Sequence, residues 1–412
     1  MQELISIKQA YSVITESIKE LGHEVVDLEN AAGRVIAEQI CADRPIPPYD
    51  RVMMDGIAIS YESFTAGRRD FSIAGTQSAG IAAMEITDSN TCVEVMTGAC
   101  LPRGTDAVIK VEDIKIQNGT AHLASDYVVE KYQHIHPLGS DQETGSVLVS
   151  EGTLLGATEL AIAASVGHTK LKVYKSPSIL LITTGDEVIP PDETPEPYQI
   201  RRSHYHAIRA SIESHQLGNV TNVHVPDTKE DLKIALESGI KIYDVILLTG
   251  GISMGKFDYV APVMQSLVGD PCFHGVAQRP GKPFAFWTWR RPPLSTPRAD
   301  DDAVPAGEDC KWAIFALPGN PVSVMACIAR YILPVLRKMR GENWQPPSHS
   351  LTNDTIWNAP FPGLVACSVS ENQLHATPPR NSGDYTALAG CHGICELPTT
   401  KRAGSLVPYY PW

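Results

Sequence analysis

Three turns in the C-terminal half of the sequence carry residue types suited to holding phosphates or other oxyanions. Thr184-Gly185-Asp186-Glu187 follows the apolar run 179–183. Thr249-Gly250-Gly251-Ile252-Ser253-Met254-Gly255, with Asp258 just beyond, follows 245–248. Pro318-Gly319-Asn320-Pro321-Val322-Ser323 follows 314–317. Glycine after a strand lets backbone N–H groups close on an anion, and the N-terminus of a following helix assists. One such pair of glycines is ordinary turn chemistry; three at one sheet edge point to a binding crevice.

Carboxylates join the glycines: Asp186, Glu187, Asp258, and Asp227 after the run 220–225. Magnesium takes oxygen ligands from one or two carboxylates plus phosphate and water, which this acidic set could supply through Asp227 and Asp258. Taken singly, each carboxylate could equally cap a helix. Opposing them in charge is Gln278-Arg279-Pro280-Gly281-Lys282-Pro283, in which two cations three residues apart are held by two prolines and a glycine. That pattern reads as a stiff anion clamp, with plain surface charge as the alternative.

These residues need a scaffold. Apolar strands at 179–183, 220–225, 245–248 and 314–317 alternate with helical patterns near 206–215, 229–238, 259–267 and 322–338. Strand–helix alternation predicts a parallel sheet with helices on both faces, which binds ligands beyond the carboxyl ends of its strands. The Pro- and Asp-rich stretch 290–311 interrupts this domain as a hairpin extension or loose loop. Residues 341–412, rich in Pro, Gly and Thr, suggest a small β domain. Upstream, Ser6 with Gln9 forms a capping-box pattern for a helix from 6 to 21, and a second short helical pattern spans 31–40. Short alternating runs between Gly and Asn predict a β-rich domain over 46–141. It would be inserted into a linker domain formed by 1–45 and 142–176, with the α/β domain at 177–340. The expected fold class is therefore α/β multidomain.

Size agrees with several domains, and the acidic balance means that a polyanionic substrate would need a few local Lys and Arg residues. The chain has 412 residues and a formal net charge of −13, more than one core usually organises. With no long basic run, broad nucleic-acid or acidic-membrane binding is not expected. The start of the sequence has no apolar signal core and no stretch reaches membrane-span length, so cytoplasm is the expectation. Nine scattered cysteines lack any Cys-x-x-Cys pair and read as reduced thiols. His204 and His206 fall at a helix start, where solvent or phosphate contact is expected rather than a metal.

Pro48-Tyr49-Asp50-Arg51-Val52-Met53-Met54-Asp55-Gly56-Ile57-Ala58 resembles the opening signature of the molybdopterin molybdotransferase family, which includes MoeA and the E domain of gephyrin. Met96-Thr97-Gly98-Ala99, Thr105-Asp106-Ala107-Val108, the three turns above and the Arg279–Lys282 clamp match it too, in the family's order. The adenylyltransferase that precedes this family in the pathway has Thr-Gly-Gly-Thr-Gly where this chain has Ile252-Ser253.

The resemblance implies a Rossmann-like molybdopterin-binding domain, a linker domain, a β-rich inserted domain and a C-terminal β-barrel-like domain. It also implies a reaction: adenylylated molybdopterin binds, molybdate joins its two thiolates, and the pyrophosphate link is cleaved to release AMP. Molybdate, a tetrahedral dianion, needs cations and N–H groups, which Arg279, Lys282 and Ser253 can provide. Gly250, Gly251, Pro283, Pro318, Asn320, Pro321 and Ser382 complete the implied substrate set. Magnesium, held near Asp227 and Asp258, would offset leaving-group charge, and Glu187 and Asp141 are candidates to orient water, metal or pterin. Asp55 and Thr97 would reach the substrate domain of a second subunit in a homodimer. No adenylating domain is fused to the chain, so transient contact is expected with the adenylyltransferase and with downstream cofactor-modifying or apo-molybdoenzyme proteins.

Departures from the family are Val52 for a common Ser, Arg279 for a common Lys, and Arg202-Ser203-His204 for a common Asp-Ser-Asn ending. Arg202 and His204 would either strengthen phosphate binding or alter it. The alternatives to this transferase are a non-catalytic cofactor-binding or scaffold protein on the same fold, and a tungstate-inserting homologue.

Overall fold

The carboxyl ends of four parallel strands organise the larger part of the molecule. The computed structural model describes residues 4–252, 259–290 and 311–412. Two compact units are present, one formed by 1–38, 151–157 and 170–412, the other by 39–150 and 158–169.

In the first unit a six-stranded sheet runs in the order Asn219–Val225, Ser178–Thr184, Val245–Thr249, Lys311–Leu317, Ala285–Arg290, Phe273–His274. The first four strands are parallel, as the strand–helix alternation predicts. The last two are antiparallel additions at one edge. Alternation along Ser178–Thr184 explains why both faces are covered. Ile179 and Leu181 point to a core shared with Ile208 and Ile212 of helix His204–Ser214. Leu180 and Ile182 point to another, with Leu232 and Leu236 of helix Lys229–Ile242 and Val263 of helix Val260–Leu267.

The long helical pattern near 322–338 is present with an interruption. Pro321–Cys327 and Leu333–Met339 are α-helical, and Ile328–Ile332 between them is a π-turn. Pro334 has no N–H to offer the carbonyl four residues back, a usual cause of a break in the i→i−4 ladder.

The capping box at the N-terminus forms as expected. Ser6 Oγ accepts from Gln9 N (3.2 Å), and Ser6 N donates to Gln9 Oε1 (2.9 Å). The helix is shorter than its pattern, Ile7–Ser17, because Leu21 N donates to Met339 O (2.8 Å) instead of continuing the helix. The pattern at 31–40 is not a helix. Gly33 adopts φ +72, and Val35 and Ile36 make bridges to Leu154 and Val173. Extended pairing of β-branched residues wins over a weak helical periodicity.

The C-terminal residues form a closed five-stranded barrel in the order Ser348–Leu351, Gln373–Ala376, Gly363–Ser370, Gly393–Leu397, Leu406–Pro411. Arg330 of the π-turn joins helix to barrel through an ion pair with Glu396 (2.8 Å) and lies over the rings of Tyr11 and Tyr410.

The second unit holds another six-stranded sheet, in the order Ala107–Lys110, Gly56–Ile59, Thr91–Val95, Asp70–Gln77, Thr120–Leu123, Ile114–Gln117. Ile57 and Ile59 face one core and Ala58 the other. Gly56 must be glycine: a Cβ there would sit 1.8 Å from the Ile109 carbonyl oxygen. Among the described residues, no helix is long and apolar enough to cross a membrane. The insertion expected at 290–311 lies almost wholly outside the described residues.

Candidate active site

The chain moves to one side after strand Ser178–Thr184 and to the other at Val245–Thr249, so these adjacent strands flank a switch point, where open sheets bind ligands. Both turns there depend on glycine. Gly250 (φ +92) backs onto Thr184, whose Oγ1 would lie 2.7 Å from an added Cβ. Gly185 (φ +128) lets the Glu187 carboxylate fold over its bare Cα, where a Cβ would meet Oε2 at 2.6 Å.

A cleft of about 700 Å³ opens at this edge. Glu187, Gly250 and Gly251 form one side, and Arg279, Lys282 and Pro283 another. Pro318 and Asn320 come from the third turn and Ser382 from the barrel, so nine of the residues expected from the sequence share one cleft. Arg279 and Lys282 are exposed, and among the described residues neither makes an ion pair. Two uncompensated cations facing glycine-rich turns suit a small, multiply charged anion.

The clamp is stiff because it is anchored from below. Gln278 is fully buried, and its Nε2 donates to the Gly281 carbonyl (3.2 Å) and toward Cys327 Sγ (3.6 Å). Its Oε1 accepts from the Tyr331 hydroxyl. Gly281 (φ +90) has no room for a side chain, since a Cβ would come within 2.8 Å of Cys327 Sγ. The backbone of Arg279 pairs with the barrel: Arg279 N donates to Pro362 O (2.9 Å) and Leu364 N to Arg279 O (2.8 Å).

At the third turn Pro321 opens its helix, where a missing N–H costs nothing. Asn320 makes no side-chain cap there; its Nδ2 donates to Ser382 Oγ (2.8 Å), while Val322 N donates to Ser382 O (3.1 Å).

Asp227 does not line the cleft. It lines a shallow recess that shares Gly251 with it and also includes Thr184 and Tyr259. Asp227 N donates to Asp186 Oδ1 (3.1 Å). Burial, and then the charges of Asp186 and Glu187, push the Asp227 carboxyl above its ordinary value. These three carboxylates form an acidic edge. Among the described residues no three ligating side chains form a ready-made metal cage. The donor set fits magnesium, which keeps water and phosphate ligands, better than a metal needing a full protein cage. Ser253 and Asp258 lie outside the described residues.

Arg202 and His204 do not line the cleft. Arg202 Nη1 reaches toward Asn222 Oδ1 (3.4 Å), and burial lowers the His204 imidazole so that it is neutral at pH 7. The sequence departure at these residues therefore does not add a charged imidazole to the anion site.

In the second unit, Asp55 and Thr97 meet although 42 residues apart. Asp55 Oδ1 accepts from both the backbone N and the Oγ1 of Thr97, each at 2.7 Å. Those bonds, the backbone one first, hold the exposed Asp55 carboxyl below its ordinary value, so it stays ionised. Asp141 is oriented by His136, whose Nε2 lies 2.7 Å from Asp141 Oδ1, and Arg51 Nη2 is 2.8 Å from the other imidazole nitrogen. An arginine can only donate, so it fixes Nδ1 as acceptor and Nε2–H as the donor to Asp141.

Sequence reasoning missed His136, the Gln278–Tyr331 support and an apolar wall of the cleft made by Trp357, Leu364 and Pro379. Tyr331 reads as an ordinary core position in a helix, and Trp357 stands in no recognisable motif.

Comparison with known proteins bears on family and fold. Residues 5–167 match a family described as the MoeA N-terminal region (domain I and II), and 180–338 match one described as "Probable molybdopterin binding domain". A molybdopterin molybdenumtransferase of Synechocystis sp. is 34% identical over 99% of this chain and 100% of its own length. The protein of the same name from Haemophilus influenzae is 28% identical, over 84% of this chain and 80% of its own. A solved molybdopterin biosynthesis MoeA protein from Pyrococcus horikoshii superposes with a TM-score of 0.80 at 24% identity, covering 100% of both chains; this likeness concerns the fold.

Proposed function

We propose how this chain, which belongs to the molybdopterin molybdenumtransferase family and is a transferase of molybdenum-cofactor biosynthesis, uses its cleft: it inserts molybdate into the dithiolene of adenylylated molybdopterin and releases AMP. Arg279 and Lys282, which share the cleft with the glycine turns and make no ion pair among the described residues, carry this reading. A tetrahedral dianion needs donors converging on it, and the cleft leaves space for the much larger pterin nucleotide beside it. Asn320 and Ser382, bonded to each other, offer further polar contacts to substrate.

Asp227 and Asp258 would hold magnesium, which when bound supplies positive charge to the pyrophosphate as its anhydride link breaks. Glu187, over Gly185, is aimed at the same cleft and is suited to orienting water. A pure scaffold would have no use for a cationic clamp that shares a cleft with Glu187 and the glycine turns. Tungstate has nearly the size and charge of molybdate and is the competing oxyanion. The test is to incubate the purified protein with adenylylated molybdopterin, magnesium and either oxyanion, then measure metal bound to the recovered pterin. Pterin recovered without metal would overturn the reading.

A homodimer goes with this reading. Exposed Met53, Met54 and Met96 surround the Asp55–Thr97 pair in sequence, and exposed apolar residues beside an ordered carboxylate suit a protein surface. Asp55, Thr97 and Asp141 would then complete the site of a second copy. An active monomer in light scattering at assay concentration would contradict this. Cytoplasmic location, and transient contacts with the adenylyltransferase and with downstream cofactor-modifying or apo-molybdoenzyme proteins, belong to the same proposal.

A further inference from the structure

We propose that Trp357 is the stacking platform for the planar heteroaromatic ring of the substrate, set at a fixed distance from the anion clamp. The inference rests on the reading of the cleft as a site for a pterin nucleotide. Trp357 belongs to the segment leading into barrel strand Gly363–Ser370, not to any glycine turn, yet it lines the cleft together with Leu364 and Pro379. These three make an apolar wall, and Trp357 is the one aromatic side chain among the described residues that line the cleft.

The indole is held rather than loosely placed. Its Nε1 donates to Phe361 O (2.7 Å), and its backbone N donates to Thr400 Oγ1 (2.9 Å). It lies flat on Gly363: a Cβ there would sit 2.6 to 2.8 Å from three ring carbons, Cε2, Cδ2 and Cζ2. One face of the ring is thereby used, and the residue is only half-buried at the cleft wall. Gly363 in turn bridges Arg279, flanked by the bonds from Arg279 N to Pro362 O and from Leu364 N to Arg279 O. Platform and clamp therefore share one backbone connection. A ligand with an anionic group on Arg279 and a flat ring a short span away would satisfy both. Every purine or pterin has a π-face, so stacking alone accepts either ring.

Two ring sources share this chemistry, the adenine and the pterin of the adenylylated substrate, and the experiment separates them. Calorimetric titrations of the wild type, Trp357→Leu and Trp357→Phe would use AMP in one arm and 6-hydroxymethylpterin in the other. The ring that occupies the platform should bind roughly 5- to 150-fold more weakly to Trp357→Leu, and nearly normally to Trp357→Phe. Molybdate uptake without nucleotide, measured by equilibrium dialysis, should not change. In the wild type the same ligand should quench a component of indole emission that is missing in Trp357→Phe, which serves if Trp357→Leu fails to fold. Wild-type affinity of a folded Trp357→Leu for both ligands, or no binding of either to the wild type, overturns the platform. Ring binding that depends on Trp357 in a protein without transferase turnover would instead strike the reaction and leave the platform standing.

Discussion

Tyr331 donates its hydroxyl hydrogen to Oε1 of Gln278, and both side chains are buried beneath the turn that presents Arg279 and Lys282. Gln278 passes this restraint on through its bond to the Gly281 carbonyl. A residue inside a π-turn thus sets the rigidity of a surface anion clamp, consistent with the tendency of such turns to mark functional sites.

Tyr331→Phe removes one hydroxyl and leaves Gln278 Oε1 without its donor, at a cost of about 1–3 kcal/mol in stability. The expected kinetic signature is a larger rise in KM for molybdate than fall in kcat, since the clamp is loosened but no group is lost from it. Burial holds the Tyr331 hydroxyl well above its ordinary pKa, so it keeps the proton it donates to Gln278. A Phe variant with unchanged molybdate KM would reduce the pair to plain core packing.

Asp227 should trade stability for function. Its folded-state carboxyl is raised, by burial first and by Asp186 and Glu187 next. A raised carboxyl contributes stability below its unfolded-state pKa, near 4, and that contribution is lost as pH rises through the folded value. In metal-free buffer at pH 7, Asp227→Asn should therefore melt higher than the wild type, with the difference gone below about pH 4. Magnesium should raise the wild-type Tm more than that of the variant, and AMP release by the variant should fall. A variant that melts lower at pH 7 and keeps its magnesium response would remove Asp227 from the acidic edge.

Much of this arrangement is legible in the amino-acid sequence. The apolar and helical runs from 177 onward specify the sheet because its inner strands must bury both faces, and Gly185 and Gly250 at the strand ends mark turns that favour glycine. What escapes is contact across long separations. Nothing in the spacing links Gln278 to Tyr331, 53 residues apart, or Asp55 to Thr97, beyond the family resemblance. The failed helix at 31–40 has the same origin, since its strand-like form is set by Leu154 and Val173, far along the chain.

Removing residues 295–308 and closing the gap with a short glycine-containing turn should leave folding and activity largely intact. Strands Ala285–Arg290 and Lys311–Leu317 pair in antiparallel register out to Arg290 and Lys311, so a hairpin connection is geometrically natural. The readouts are soluble yield, Tm and AMP release. Insoluble protein would mean that the segment packs against the rest of the molecule or a second copy.

If Arg279 and Lys282 capture molybdate for transfer to a nucleotide-activated pterin, AMP release must respond to molybdate through these two residues. With purified protein, adenylylated molybdopterin and magnesium, release should be slow without molybdate and rise when it is added. In Arg279→Ala or Lys282→Ala the molybdate-dependent release should slow on the order of a hundredfold, with the nucleotide itself still bound. AMP release that ignores molybdate, or that keeps its normal molybdate dependence in both variants, would show that the clamp has another purpose.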